Sequence, residues 1–258
     1  MVSEGIGAVK ELAEQDRGLI SGAGSDSPQA EAAAKNASKT LVEAAYFLLR
    51  RDILSGELVP GMKLRLDYLR TLYDIGASPL REALSRLVAD QLVIAEEQRG
   101  FRVRPISLKD LRDITNMRQL LETTAFRQSV ARGDDHWEAQ VVAAYHRLSR
   151  IEERQDLGQP EILDEWEARN REFHESITAA ADSLWLRHFE LTLFDQADRY
   201  RRLTIKGGQS LASTARDEHR AIFEACMARD VELGCRLISE HLEHTFTRGQ
   251  QTLFAGEG

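Results

Sequence analysis

Between Thr40 and Pro105 the apolar residues keep a helical period through three short segments and then switch to a period of two. Few folds accommodate that order. Thr40-Leu41-Val42-Glu43 is a capping box, in which the hydroxyl accepts from an early N–H and the glutamate reaches back. Leu41, Ala44, Ala45, Leu48, Leu49 and Ile53 then recur at helical spacing, and Gly56 suits a left-handed stop. After the turn at Pro60-Gly61, a short helix carries Leu66, Leu69 and Leu72 or Tyr73 inward. A third helix is expected to start with Ser78 as its cap and Pro79 in its first turn, with Leu80, Ala83, Leu84, Leu87 and Val88 on one face. Leu92-Val93-Ile94 reads as a strand, residues 96–100 as a polar turn, and Phe101-Arg102-Val103-Arg104 as a strand with its arginines outward. Three helices and a basic-tipped hairpin in about 70 residues make a winged helix-turn-helix, which presents one helix and a wing to two adjacent surfaces of a duplex.

From Ser107 onward the pattern is helical throughout. Ser107 to Asp110 is a second capping box, and Leu111, Ile114, Leu121 and Ala125 mark a long helix ending near Arg132. Further helices are expected over 136–155, 160–180, 184–205, 210–228 and 230–252. About six long helices with short connections predict an antiparallel all-α bundle. The fold class is therefore mostly α. The expected organisation is a disordered tail at 1–37, a winged helix-turn-helix at 38–106, a helical domain at 107–254 and a tail at 255–258. The first tail is Ala, Gly and Ser rich and can bury little.

Charge bears on the partner. The chain of 258 residues has a net charge of −8, which on its own argues against nucleic acid. The distribution is uneven: residues 39–107 hold 11 Lys/Arg against 9 Asp/Glu, while residues 108–258 hold 20 against 27. A mildly basic block on an acidic body can still bind DNA if its cations share one face. No apolar run approaches the roughly 20 residues that span a bilayer, and no basic segment followed by an apolar stretch opens the chain. Cys226 and Cys235 give no disulfide framework, which fits a reducing cytoplasm.

The segments LSGELVPGMKL (54–64), SPLREALSRL (78–87) and RGFRV (99–103) resemble the DNA-binding domain of GntR-family transcription regulators, in the family's order and over the whole of 40–107. Behind them, Met117-Arg118-Gln119-Leu120-Leu121-Glu122, Asn170 to His174, Glu218-His219 and His241-Leu242 resemble the effector-binding domain of the FadR subfamily, over about 108–252. The resemblance implies a homodimeric DNA-binding transcription regulator, a repressor, that reads a palindromic operator and responds to a small carboxylate.

It also implies roles for particular residues. Arg81 would contact bases and Ser78 a phosphate from the recognition helix, and Arg99-Gly100 would form the wing tip at the minor groove. Arg65 stands where the family places a capping serine and reads as a phosphate clamp. A solvated charge is the alternative there, as an ion pair with Asp74 or Glu82 is for Arg81. Ala77, after Gly76, stands where the family commonly has a second arginine, so base readout is expected to be thinner. Arg102 and Arg104 are weaker candidates for backbone contacts.

In the bundle, Asn170 and His174 are four apart on one helix face, and His219 and His241 lie on later helices. Metal-binding members of the family place their ligands at these four positions, the first commonly being Asp. The expected cofactor is a divalent metal, zinc first. Lone histidines on bundle helices are otherwise ordinary core or surface residues, and His136, His146, His188 and His244 are read so. Arg118 is either half of a helical ion pair with Glu122 or, by resemblance, an inward grip for an effector carboxylate. In the Arg199, Arg201, Arg202 cluster one side chain pointing into the pocket is the alternative to a solvated face, which is the favoured reading, and Trp137, Trp166 and Trp185 read as packing residues.

An enzyme is not expected. No Glu stands three residues before any His, and neither His-Glu-x-x-His, a Gly-rich phosphate loop nor Gly-x-Ser-x-Gly occurs. A winged helix that binds protein in place of DNA is the remaining alternative.

Overall fold

A computed structural model of the chain describes residues 28–97, 99–154, 159–206 and 212–255. The chain divides after Pro105 into two compact units. The first contains α1 (Pro28–Leu54), β1 (Lys63–Leu64), α2 (Leu66–Tyr73), α3 (Ala77–Ala89), β2 (Val93–Glu96) and β3 (Gly100–Val103). Leu49, Ile53, Leu69, Leu80, Leu84 and Leu87 from the three helices meet in a core that solvent barely touches. One polar contact crosses it: the Tyr73 hydroxyl donates to Asp52 Oδ2 at 2.7 Å, which satisfies both groups where water is excluded. Gly56 ends the α1 turn at φ 74°, in the left-handed region.

The helix starts differ from the sequence-based expectation. α1 begins at Pro28, twelve residues before Thr40, so the expected tail is helical over 28–37; residues 1–27 and 256–258 lie outside the described residues. Ala30, Ala32, Ala33, Ala34 and Ala37 explain the extension, since alanine has the highest helix propensity and Pro28 fits a first turn. α3 begins at Ala77 with Gly76 as its cap, so Ser78 is the second helical residue and makes no cap hydrogen bond. Pro79 still lies in the first turn, where a missing N–H costs nothing. The sheet has three strands in the order β1-β3-β2, both pairs antiparallel, with Val93 opposite Val103 and Lys63 opposite Arg102. Strand β1, only two residues long, shows no alternation that a sequence pattern could reveal.

The second unit consists of α4 (Leu108–Arg132), α5 (Asp135–Glu152), α6 (Pro160–Thr178), α7 (Leu184–Lys206), α8 (Ala212–Met227) and α9 (Val231–Leu253), the six expected helices. Ser107 Oγ accepts from the Asp110 N–H at 3.1 Å, Asp134 caps α5 and Asp230 caps α9. The reciprocal half of the expected capping box is absent. The Asp110 carboxylate instead takes the Tyr200 hydroxyl at 2.7 Å, while the Ser107 N–H donates to that same phenol oxygen at 3.2 Å. Arg229 ties off the far end of α4 by donating to the carbonyls of Val130 and Gly133, each at 2.8 Å. The main core joins Phe126, Val141, Phe173, Ile222 and Ile238 from five of the helices.

α4 and α9 cross closely because Gly234 lacks a side chain. A Cβ at that position would stand 2.3 Å from the Phe126 ring, and Phe126 is fully buried. Gly234→Ala should therefore destabilise the protein: overpacking costs about 1–3 kcal/mol, against which the helix-propensity gain is roughly 1 kcal/mol. Denaturant unfolding of the two proteins measures the difference, and a more stable variant would contradict so close a crossing.

Candidate functional site

In the first unit the residues expected at DNA lie exposed. Arg65 precedes α2 in extended backbone with no side-chain cap, while Ser78 and Arg81 project from the first turns of α3. Among the described residues no ion pair engages Arg81, so neither Asp74 nor Glu82 holds it. Arg99 lies in the turn between β2 and β3, and Gly100 opens β3 opposite Glu96. Gly100 has φ 91° with open space around it, a conformation that favours glycine and lets another backbone approach. The neighbouring arginines are committed elsewhere. Arg102 pairs with Glu96 at 2.7 Å and donates to the Gly61 carbonyl, and Arg104 donates to Gln91 Oε1 at 2.8 Å. The expected alternation of the strand holds, with Phe101 and Val103 packed on the core and Arg102 on the other face, half-buried where it braces the hairpin.

In the second unit α6, α8 and α9 bring His174, His219 and His241 together, all buried, with one potential ligand atom from each within 4.8 Å of the others. Asn170 lies one turn before His174, 2% exposed, and its Oδ1 has no hydrogen-bond partner. Each imidazole has a carboxylate beside Nδ1: Glu152 Oε1 at 2.7 Å from His219, Glu218 Oε2 at 2.7 Å from His241, and Glu122 Oε2 at 3.4 Å from His174. At His219 and His241 the hydrogen-bonded carboxylate fixes the proton on Nδ1 and turns the Nε2 lone pair to the opposite side, as in metal-binding histidines. Burial, only partly offset by the carboxylates, lowers His174 to about 4 and His241 to about 3, so both rings are neutral and able to donate at neutral pH. His219 Nε2, both nitrogens of His174 and Asn170 Oδ1 are buried without hydrogen bonds. Unpartnered polar atoms gathered at one point are costly, and the lone pairs among them are relieved when something electrophilic meets them. The donor set of three nitrogens and one amide oxygen fits a borderline divalent ion.

A small cavity beside this centre is lined by Asn170, His174 and His241 and by Arg118, Arg201 and Arg248. Arg118 is 4% exposed and donates to Glu122 at 2.7 Å. Arg201 is held by Glu167, at 2.9 Å from Nε to Oε1. Burial raises the Glu167 carboxyl to about 7 in spite of that guanidinium. Arg248 shares Glu218 with His241 and the exposed His244. Burial works against ionisation of Glu218, but these partners prevail and hold it at about 2.

Several features depart from the sequence reading. Arg199 and Arg201 are buried, not part of a solvated face, and for Arg201 Glu167 and Asp198 supply carboxylates inside the bundle. Trp137 and Trp166 pack in the core, whereas Trp185 is 71% exposed and stacks on Phe189. Glu152 carries no local signal in the sequence, since its partner is 67 residues away. Arg248 could have been noticed two turns from His241 on the same helix face.

The comparisons with known proteins agree in direction. Residues 41–103 match the family of bacterial regulatory proteins, gntR family, and residues 113–244 match the FCD domain. The chain is 41% identical over 209 residues to an HTH-type transcriptional regulator, BphR, of Paraburkholderia xenovorans (strain LB400), covering 81% of this chain and 85% of that protein. It is 38% identical over 201 residues to the HTH-type transcriptional repressor GlaR of Escherichia coli (strain K12), covering 76% and 90%. The solved structure of E. coli McbR/YncC shares the fold with a TM-score of 0.67 at 20% identity, over 83% of this chain and 98% of that one. Among the described residues no helix is long and apolar enough to cross a membrane. A gntR-type helix-turn-helix followed by an FCD domain makes this chain a member of the gntR family of bacterial transcription regulators, DNA-binding proteins and not enzymes.

Proposed function

We propose that the protein is a cytoplasmic homodimeric repressor whose residues 38–106 read a palindromic operator and whose residues 107–254 sense a small carboxylate beside a divalent metal, zinc being the best fit. The observation that carries this reading is the cluster of three buried imidazoles, each with a carboxylate beside Nδ1, and an orphaned amide oxygen, of which His174, His241 and Asn170 line a cavity with three arginines. His174, His219, His241 and Asn170 would hold the ion. When bound, it supplies positive charge at the cavity wall. Arg118 supplies a planar pair of donors for a carboxylate, and Arg201 and Arg248 add charge from the other sides. Asn170 is neutral where an aspartate would be anionic, so more of the ion's charge is left for an anionic ligand. Two identical reading heads would meet two half-sites, and a carboxylate favouring one dimer geometry would shift the population away from the DNA-competent form.

Arg81→Ala should cost on the order of 1–3 kcal/mol of specific binding and flatten the preference between operator variants. Arg99→Ala should weaken all duplexes and lower the salt slope by about one unit if the contact is to phosphate. Fluorescence anisotropy over a salt series measures both, and a folded Arg81 variant with wild-type affinity removes that residue from the interface.

The metal reading is tested by calorimetric titration. His219→Ala should abolish zinc binding, and Asn170→Asp should tighten it while making carboxylate binding less dependent on the metal. Wild-type protein that takes up no zinc, and binds carboxylates equally well with chelator present, would reduce the centre to a buried histidine cluster.

A further inference from the structure

His174 borders two cavities. One is the arginine-lined cavity described above. The other opens between the C-terminal turn of α6 and the first turns of α7, with an exposed rim at Ala179 and Arg187 and a buried floor of Glu122, His174 and Phe194. Between rim and floor stand Glu175 and Glu190, so the path from solvent to the imidazole is lined by three carboxylates in succession. Two of the three are ion-paired, Glu175 with Arg171 at 3.5 Å and with the rim Arg187 at 3.9 Å, and Glu122 with Arg118 at 2.7 Å, which leaves Glu190, among the described residues, without an ion pair. Glu190 Oε1 is buried without a hydrogen-bond partner, and the floor ring, 4% exposed, has no hydrogen bond from either nitrogen. Burial and the charge on Glu122, with a smaller push from Glu175, raise the Glu190 carboxyl to about 8 against the pull of Arg187 and Arg118. A cation would meet an oxygen ligand at each step and relieve the crowding of carboxylates.

We infer that the cavity between α6 and α7 is the port through which a divalent cation reaches the histidine centre, with Glu190 as its transient ligand. The inference rests on the metal reading above. The arginine-lined cavity is left to the carboxylate, so ion and effector approach His174 through different cavities. Glu190 is not a ligand of the resting site: it would hold the ion on its way and surrender it to the imidazoles. A carboxylate that stabilises the passage lowers the barrier in both directions, so it speeds loading and extraction alike and leaves the equilibrium unchanged.

The experiment uses full-length protein stripped of metal and the metal alone as probe. Cobalt(II) loading is followed by its visible absorption in a stopped-flow instrument, extraction by excess chelator is timed on the loaded protein, and affinity is taken from equilibrium titration. Glu190→Gln should slow loading and extraction by a similar factor, about tenfold, which corresponds to about 1.4 kcal/mol in the barrier, with the dissociation constant and absorption spectrum unchanged. Arg187→Ala, which removes the rim cation, should quicken both. Equal rates in wild type and Glu190→Gln, at equal affinity, would overturn the port. A Glu190→Gln protein with lost affinity or an altered spectrum would overturn it too, by making Glu190 a resident ligand. If the wild type binds no cobalt at all, the metal reading itself fails, a result distinct from a rate that does not change.

Discussion

A buried imidazole needs polar partners, and in this bundle each histidine of the centre has a carboxylate from a different helix beside Nδ1, hydrogen-bonded for His219 and His241 and 3.4 Å away for His174. Glu152 on α5 stands behind His219 of α8, Glu218 on α8 behind His241 of α9, and Glu122 on α4 behind His174 of α6. The centre and the helix packing are therefore one problem. The carboxylates are buried charges and must themselves be satisfied, which brings Arg118 to Glu122 and Arg248 to Glu218. Removing one member strands another: without Arg118, Glu122 would be a buried charge supported by a neutral ring alone. Such a network contributes little net stability compared with apolar packing, but breaking it piecemeal is costly. Its value lies in fixing where the lone pairs of His219 and His241 point.

The same logic accounts for the arginines. A buried guanidinium is tolerated when a carboxylate matches its fork, as Glu167 does for Arg201. These paired cations face the cavity without carrying a full uncompensated charge. A ligand carboxylate would compete with Glu122 or Glu167 for donors already in place, so recognition depends on geometry as much as on charge. Phe194 stands among Arg118, Arg171 and Arg201, with their guanidinium carbons 4.6–5.1 Å from its ring centroid. It gives the charged cluster an apolar face to pack on.

What the sequence made legible follows from the range of the interactions. Helices declare themselves through local periodicity, and all six of the bundle were readable, as was the hairpin with Gly100 at its turn. The histidines and Asn170 could be singled out by motif. Their orientation could not, because it depends on Glu152 and on pairings between residues far apart in the chain. The burial of Arg199 and Arg201 was hidden for a related reason. In Asp198-Arg-Tyr-Arg-Arg a charged run has the look of a wet surface, and only the fold shows Glu167 waiting inside. The early start of α1 was missed because the low apolar content of 28–37 hides its high alanine propensity.

Tyr200 and Arg201 are neighbours on α7 that face different ways. Arg201 borders the cavity beside the histidines, while the Tyr200 hydroxyl grips Ser107 and Asp110 at the first turn of α4, within a few residues of the junction at Pro105. A helix turns as a rod, since its backbone hydrogen bonds resist twisting between adjacent residues. Any rotation of α7 that re-aims Arg201 therefore swings Tyr200 through the same angle. The helix is in this sense a crank, with one arm on the cavity beside the histidines and the other on the first turn of α4.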